Sequence, residues 1–120
     1  MKSVMNKNII KEKSFKFALK IIELYKILQS QKEFILSKQL LKSATSIGAN
    51  VNESISAQSK RDFISKMSIA NKEARETKYW LLLLNESQFI KKDYSIYLND
   101  IEELIRILTA IVKSSQLNNK

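Results

Sequence analysis

Three glutamates, Glu53, Glu73 and Glu76, come nearest to a reactive constellation in this chain. Carboxylates presented by neighbouring helices are the raw material of di-metal bundles. Those sites complete their ligand set with a Glu-x-x-His motif, however, and the chain has no histidine. It has no cysteine either, so thiolate metal sites and disulfides are excluded. No metal and no cofactor is expected. The ordinary expectation is that these carboxylates pair or hydrogen-bond with Asn50, Lys66 or Lys72 and set the register of two packed helices. Ser43 and Ser46 have no histidine to activate them and no G-x-S-x-G turn to present them, so nucleophilic hydrolysis lacks its machinery. The chain reads as a non-enzyme.

The cations carry a clearer signal. The 120 residues hold 21 Lys and Arg against 12 Asp and Glu, a net charge of +9. Residues 1–42 contain ten lysines and only three carboxylates, Glu12, Glu23 and Glu33. Such an imbalance favours acidic partners, RNA or DNA above all, through phosphate neutralisation and counterion release. A lysine-rich solvated surface has the same composition and is the competing reading. Lys11, Lys13, Lys16 and Lys20 are the candidate phosphate contacts in this third. Lys60 and Arg61 form a second set. Cations in the first turn of a helix oppose its dipole, and two of them beside free N–H groups make a phosphate-binding corner. The alternative is two solvated charges offset by Asp62.

Positioning these residues falls to long helices. Proline is absent and glycine occurs once, at Gly48, which leaves almost none of the punctuation that strand-and-turn folds require. A chain of this length supports one core. We expect a mobile basic arm or a frayed helix start over residues 1–12, one four-helix domain over 13–116 and a frayed tail over 117–120. The first helix begins at Ser14 and is apolar on two sides: Phe15, Ala18, Leu19, Ile22 and Tyr25 share one face, while Phe17, Ile21, Leu24 and Leu28 share another. The surplus stripe is either extra core coverage or a surface for another subunit. Gln31, Lys32 and Glu33 make a short polar connection, so the next helix is an antiparallel neighbour.

The second helix spans about Phe34 to Ala57, with Leu36, Leu40, Ala44, Ile47, Val51 and Ile55 on its inner face. Its small middle, Ser43 to Ala49, implies a close approach of another backbone, because Gly48 inside a helix costs about 1 kcal/mol relative to Ala. Ser59 caps a third helix with Asp62 three residues on. Phe63, Ala70, Thr77 and Leu84 alternate with Met67, Ala74, Leu81 and Gln88 along a coiled-coil-like seam. Off the seam, Ile69, Glu73, Glu76, Trp80 and Leu83 gather on another side, a second packed surface. Asn85 to Lys92 turns the chain, and a fourth helix runs from near Asp93 to about Ser115 with a slightly acidic exposed side. No stretch approaches the roughly 18 apolar residues of a membrane span, and the N-terminus lacks an apolar leader core, so a cytoplasmic protein without a membrane partner is expected.

ATSIGANVNES followed by AQSKRDFISKMSIANKEARETKYWLLLL closely resembles the four-helix-bundle proteins encoded in intervening sequences of large-subunit ribosomal RNA genes. The match covers Ala44, Ser46, Ile47, Gly48, Ala49, Asn50 and Glu53, then Ser59, Asp62, Phe63, Ile69, Ala70, Glu73 and Glu76. Ser54, Ile55 and Ser56 depart from the family's pattern at the hairpin tip. That family is similar in fold to the accessory variability protein of diversity-generating retroelements. The resemblance implies an all-α, up-down-up-down four-helix bundle that assembles as a homo-oligomeric ring, a pentamer. It further implies a role in binding nucleic acid or a nucleic-acid-processing protein. Asn50, Glu53, Ile69, Glu73, Glu76, Trp80 and Phe17 are the expected assembly or signature residues. A protein-interaction scaffold with no nucleic-acid role is the alternative.

Overall fold

The computed structural model describes residues 2–117, with side chains described from Lys7 onward. Four helices account for nearly all of it: α1 Lys2–Ser30, α2 Leu36–Ile55, α3 Lys60–Ser87 and α4 Ser95–Leu117. Each helix packs against its neighbour in the chain, and α1 closes the arrangement against α4. The contact between α2 and α3 is the most extensive and that between α1 and α4 the least.

Helix α1 departs from the expected boundary. Its core stripe is Ile10, Ser14, Phe17, Ile21, Leu24 and Leu28, all buried. The spacing alternates four and three, so the stripe simply continues upstream of Ser14. Residues 2–12 are therefore helical rather than a mobile arm. Met1 lies outside the described residues, as do positions 118–120 of the expected frayed tail, whereas Leu117 ends α4.

The start of α2 is fixed by a device hidden in the polar connection. The Glu33 carboxylate accepts hydrogen bonds from the backbone N–H groups of Ile35, Leu36 and Ser37 at 3.1, 3.0 and 2.6 Å. It thereby satisfies the orphan donors of the first turn and puts negative charge at the helix's positive end. The Ser37 hydroxyl donates back to the Glu33 carbonyl at 2.8 Å. Phe34 and Ile35 consequently stand outside the helix and exposed.

Gly48 faces α1. A Cβ built there meets Ser14 Oγ at 3.6 Å and the Ser14 carbonyl oxygen at 3.7 Å. Another backbone does approach, but at ordinary van der Waals range. Between α2 and α3 the close contact is polar: Thr77 Oγ1 lies 2.9 Å from Ser43 Oγ, with both residues fully buried. The α3 core then follows Phe63, Met67, Ala70, Ala74, Thr77, Leu81 and Leu84 at strict four-three spacing.

Ser59 caps α3 as expected, accepting from Asp62 N at 3.0 Å. The far end of α3 runs to Ser87 and closes on Gln88 in the left-handed conformation, φ 47°. A non-glycine residue is tolerated there because the Gln88 side chain bridges the turn, donating to the Asn85 carbonyl at 2.8 Å and accepting from Lys92 N at 3.2 Å. Asp93 then caps α4 through Ser95 N at 2.9 Å. That N–H, with the Ser95 hydroxyl, holds the Asp93 carboxyl below its ordinary value. Tyr94 is buried at the same junction and donates to the Ile90 carbonyl at 2.8 Å. Burial, reinforced by the nearby Glu33 charge, pushes its phenol up.

Candidate nucleic-acid interface and assembly faces

The six candidate cations divide into two groups. Lys13, Lys16 and Lys20 project from α1 beside α4, where each meets a carboxylate: Lys13 with Glu103 at 3.2 Å, Lys16 with Glu12 at 2.7 Å and Lys20 with Asp100 at 2.7 Å. The exposed acidic side of α4 thus lies against the basic side of α1 and offsets part of its charge. Lys16 holds the Glu12 carboxyl below its ordinary value through their hydrogen bond and charge attraction. Such exposed pairs are worth about 0–1 kcal/mol, so phosphate competes with them at small cost. Lys11, Lys60 and Arg61 are exposed and have no carboxylate partner among the described residues.

Lys60 and Arg61 open α3 at one end of the molecule, where sequence reasoning missed a third cation. The Lys7 ammonium sits 4.6 Å from the centroid of the Phe63 ring, within cation–π range. It faces the same recess as Lys60. Nothing in the local pattern announces this, because Lys7 reaches Phe63 only once α1 continues upstream of Ser14.

A separate face joins α2 to the outer side of α3. Ile69 is 39% exposed, Glu76 is exposed, and Asn50, Glu73 and Trp80 are half-buried. Glu53 reaches across to Lys66 at 3.2 Å, one of the carboxylate pairings that the sequence suggested. Glu76 instead accepts from the Trp80 indole N–H one turn on at 3.3 Å, and Asn50 donates to the Ser46 carbonyl of its own helix at 2.8 Å. Tyr79 meets Trp80 edge-on, with ring centroids 5.2 Å apart. The face therefore combines apolar surface with two carboxylates, Glu53 and Glu76, held by partners on α3. Among the described residues no group of three carboxylates converges as a metal site would require.

Phe17 does not belong with this set. It is 2% exposed and lies in the core with Ile21 and Leu24, so it cannot meet another subunit. Periodicity separated the two stripes of α1 correctly but left open which one turns inward. The outward one carries Phe15, 61% exposed, and Leu19, 49% exposed. No helix among the described residues is long and apolar enough to cross a membrane.

The family model described as 23S rRNA-intervening sequence protein matches residues 6–110. Among solved structures, the chain is similar to a crystal structure from Bacteroides thetaiotaomicron of a protein with unknown function from the S23 ribosomal protein family. The two are 49% identical with a TM-score of 0.86, over 90% of this chain and 98% of that one. No curated protein matches.

Proposed function

This chain belongs to the 23S rRNA-intervening sequence protein family, and we propose that it is a non-catalytic, homo-oligomeric RNA-binding or ribonucleoprotein adaptor of the cytoplasm. The observation that carries this reading is the set of exposed cations with no carboxylate partner, Lys11, Lys60 and Arg61, on a chain of net charge +9. Phosphate contacts of this kind give affinity without base specificity. Within the protomer the helices run up-down-up-down. Ser43–Thr77 and Glu53–Lys66 support this for α2 and α3, since the partners climb one helix while descending the other. Lys13–Glu103 and Lys20–Asp100 do the same for α1 and α4.

The protomers form a closed ring, a pentamer. A heterologous ring needs two different surfaces on each subunit. The Phe15–Leu19 stripe of α1 and the Ile69–Trp80 face of α3 are two such surfaces. Salt-dependent binding of single-stranded RNA tests the nucleic-acid half. Affinity should fall steeply between about 50 and 200 mM salt, and Lys60→Glu with Arg61→Glu should weaken binding and flatten the slope. Affinity indifferent to both sinks the reading. Solution mass measurement tests the other half, with a stable monomer as the contrary result.

A protein scaffold without an RNA role is the second reading. The ion pairs that engage Lys13, Lys16 and Lys20 favour it, because they leave less free charge on α1 than the sequence promises. Recovery of a protein partner after nuclease treatment, with no RNA affinity in the purified chain, would establish it.

A further inference from the structure

At the end of the molecule where α3 begins, four segments enclose a recess of about 420 Å³. Lys7 comes from α1, Ser59 and Lys60 from the α2–α3 turn and the start of α3, Phe63 from the next turn of α3, and Ser114 and Ser115 from the last turn of α4. Every ionisable group in this wall is a cation. Neither Lys7 nor Lys60 pairs with a carboxylate among the described residues. Phe63 provides a mostly buried aromatic floor that holds the Lys7 ammonium in place, 4.6 Å from its ring centroid. Hydroxyls from Ser59, Ser114 and Ser115 add hydrogen-bond donors on two sides.

We propose that this recess binds a terminal phosphate monoester, carried by a nucleotide or by the end of an RNA strand. Its volume lies in the range of about 300–1,000 Å³ typical of small-ligand sites. A phosphate monoester carries about −1.5 to −2 charges near neutral pH, which the two lysines match, whereas an internal phosphodiester carries one. The inference rests on the nucleic-acid reading for the source of the phosphate but not for the site itself.

The test titrates the full chain with adenosine 5′-monophosphate and with adenosine, following amide shifts and heats of binding. The monophosphate should bind and the nucleoside should not. Lys7→Ala and Lys60→Ala should each weaken binding about tenfold, the scale of one charge-assisted contact. Lys60→Arg should retain it, and Lys38→Ala, on α2 and outside the recess lining, should change nothing. Equal binding of the two ligands, or monophosphate binding that survives the Lys7→Ala/Lys60→Ala pair, overturns the site. A second arm compares 5′-phosphorylated with 5′-hydroxyl single-stranded RNA. A preference that disappears in Lys60→Ala supports recognition of the strand end. RNA bound equally well with either end overturns end recognition and leaves the adaptor reading standing. Monophosphate binding with no RNA affinity at all keeps the site and removes the adaptor reading.

Discussion

Helices α2 and α3 meet through buried side chains, including the Ser43–Thr77 hydroxyl pair and the apolar residues Ala44, Ile47, Met67, Ala70 and Leu81. Helices α1 and α4 do share core residues, but the polar links between them are exposed ion pairs, Lys13–Glu103 and Lys20–Asp100, and their contact is the least extensive of the four. The difference shows where stability resides. Burial of apolar area and satisfied interior hydroxyls bind the first pair, while charges that water and salt readily screen tie the edge of the second. Opening should begin at the α1–α4 edge.

The contrast can be broken most forcefully by Leu81→Ala. Leu81 is fully buried, and its truncation should cost about 2–5 kcal/mol in urea-induced unfolding. A cost below about 1 kcal/mol would show that the α2–α3 pair is not the stability centre. Thr77→Val should cost about 1–3 kcal/mol, because it removes one partner of a buried hydroxyl pair, whereas Ser43→Ala combined with Thr77→Val should recover much of that loss. Gly48→Ala should act in the opposite direction. The new methyl meets Ser14 at 3.6 Å or more, and the helix propensity gain is about 1 kcal/mol, so the melting temperature should rise.

The smallest effect belongs to the edge. A double-mutant cycle on Lys20 and Asp100 should give less than about 1 kcal/mol, shrinking as salt is added. Acid should weaken the charged contacts first. Glu102 is held below its ordinary carboxyl value by the hydrogen bond from Lys78. A carboxyl depressed in the folded state contributes its full stability above the unfolded value of 4.5 and loses it as pH falls through the folded value. Glu102→Gln should therefore flatten the decline in melting temperature below about pH 4.5.

Most of the fold was legible in the residues because the chain has so little that interrupts a helix. Ser59 with Asp62 marked the start of α3, and the strict seven-residue ladder from Phe63 to Leu84 marked its inner face. Glu33 was not legible as a cap. Phe34 and Ile35 follow it and extend the apolar pattern, so the helix looked as though it began at Phe34. Phe17 was placed with the assembly residues because a helix with two apolar stripes carries no internal sign of which one turns inward. Ser14 obscured the answer, since a serine in the core line made the stripe appear to end there. The pairing of α1 lysines with α4 carboxylates depends on the register of helices about 80–90 positions apart, which local spacing does not encode. The recess depends likewise on how far α1 extends past the turn after Ile55.

Along α3, Ile69, Glu73, Glu76, Trp80 and Leu83 follow the same alternation of four and three as the buried line beside them. A straight helix drifts about 20° per seven residues against such a repeat, so a partner following it must wind around α3 with a left-handed twist. The buried line and this half-exposed one share one pitch. A helix from a neighbouring protomer laid on the half-exposed line would cross α3 at about 20°. A helix docked on this face would therefore meet the same four-three repeat that lines the protomer's own core.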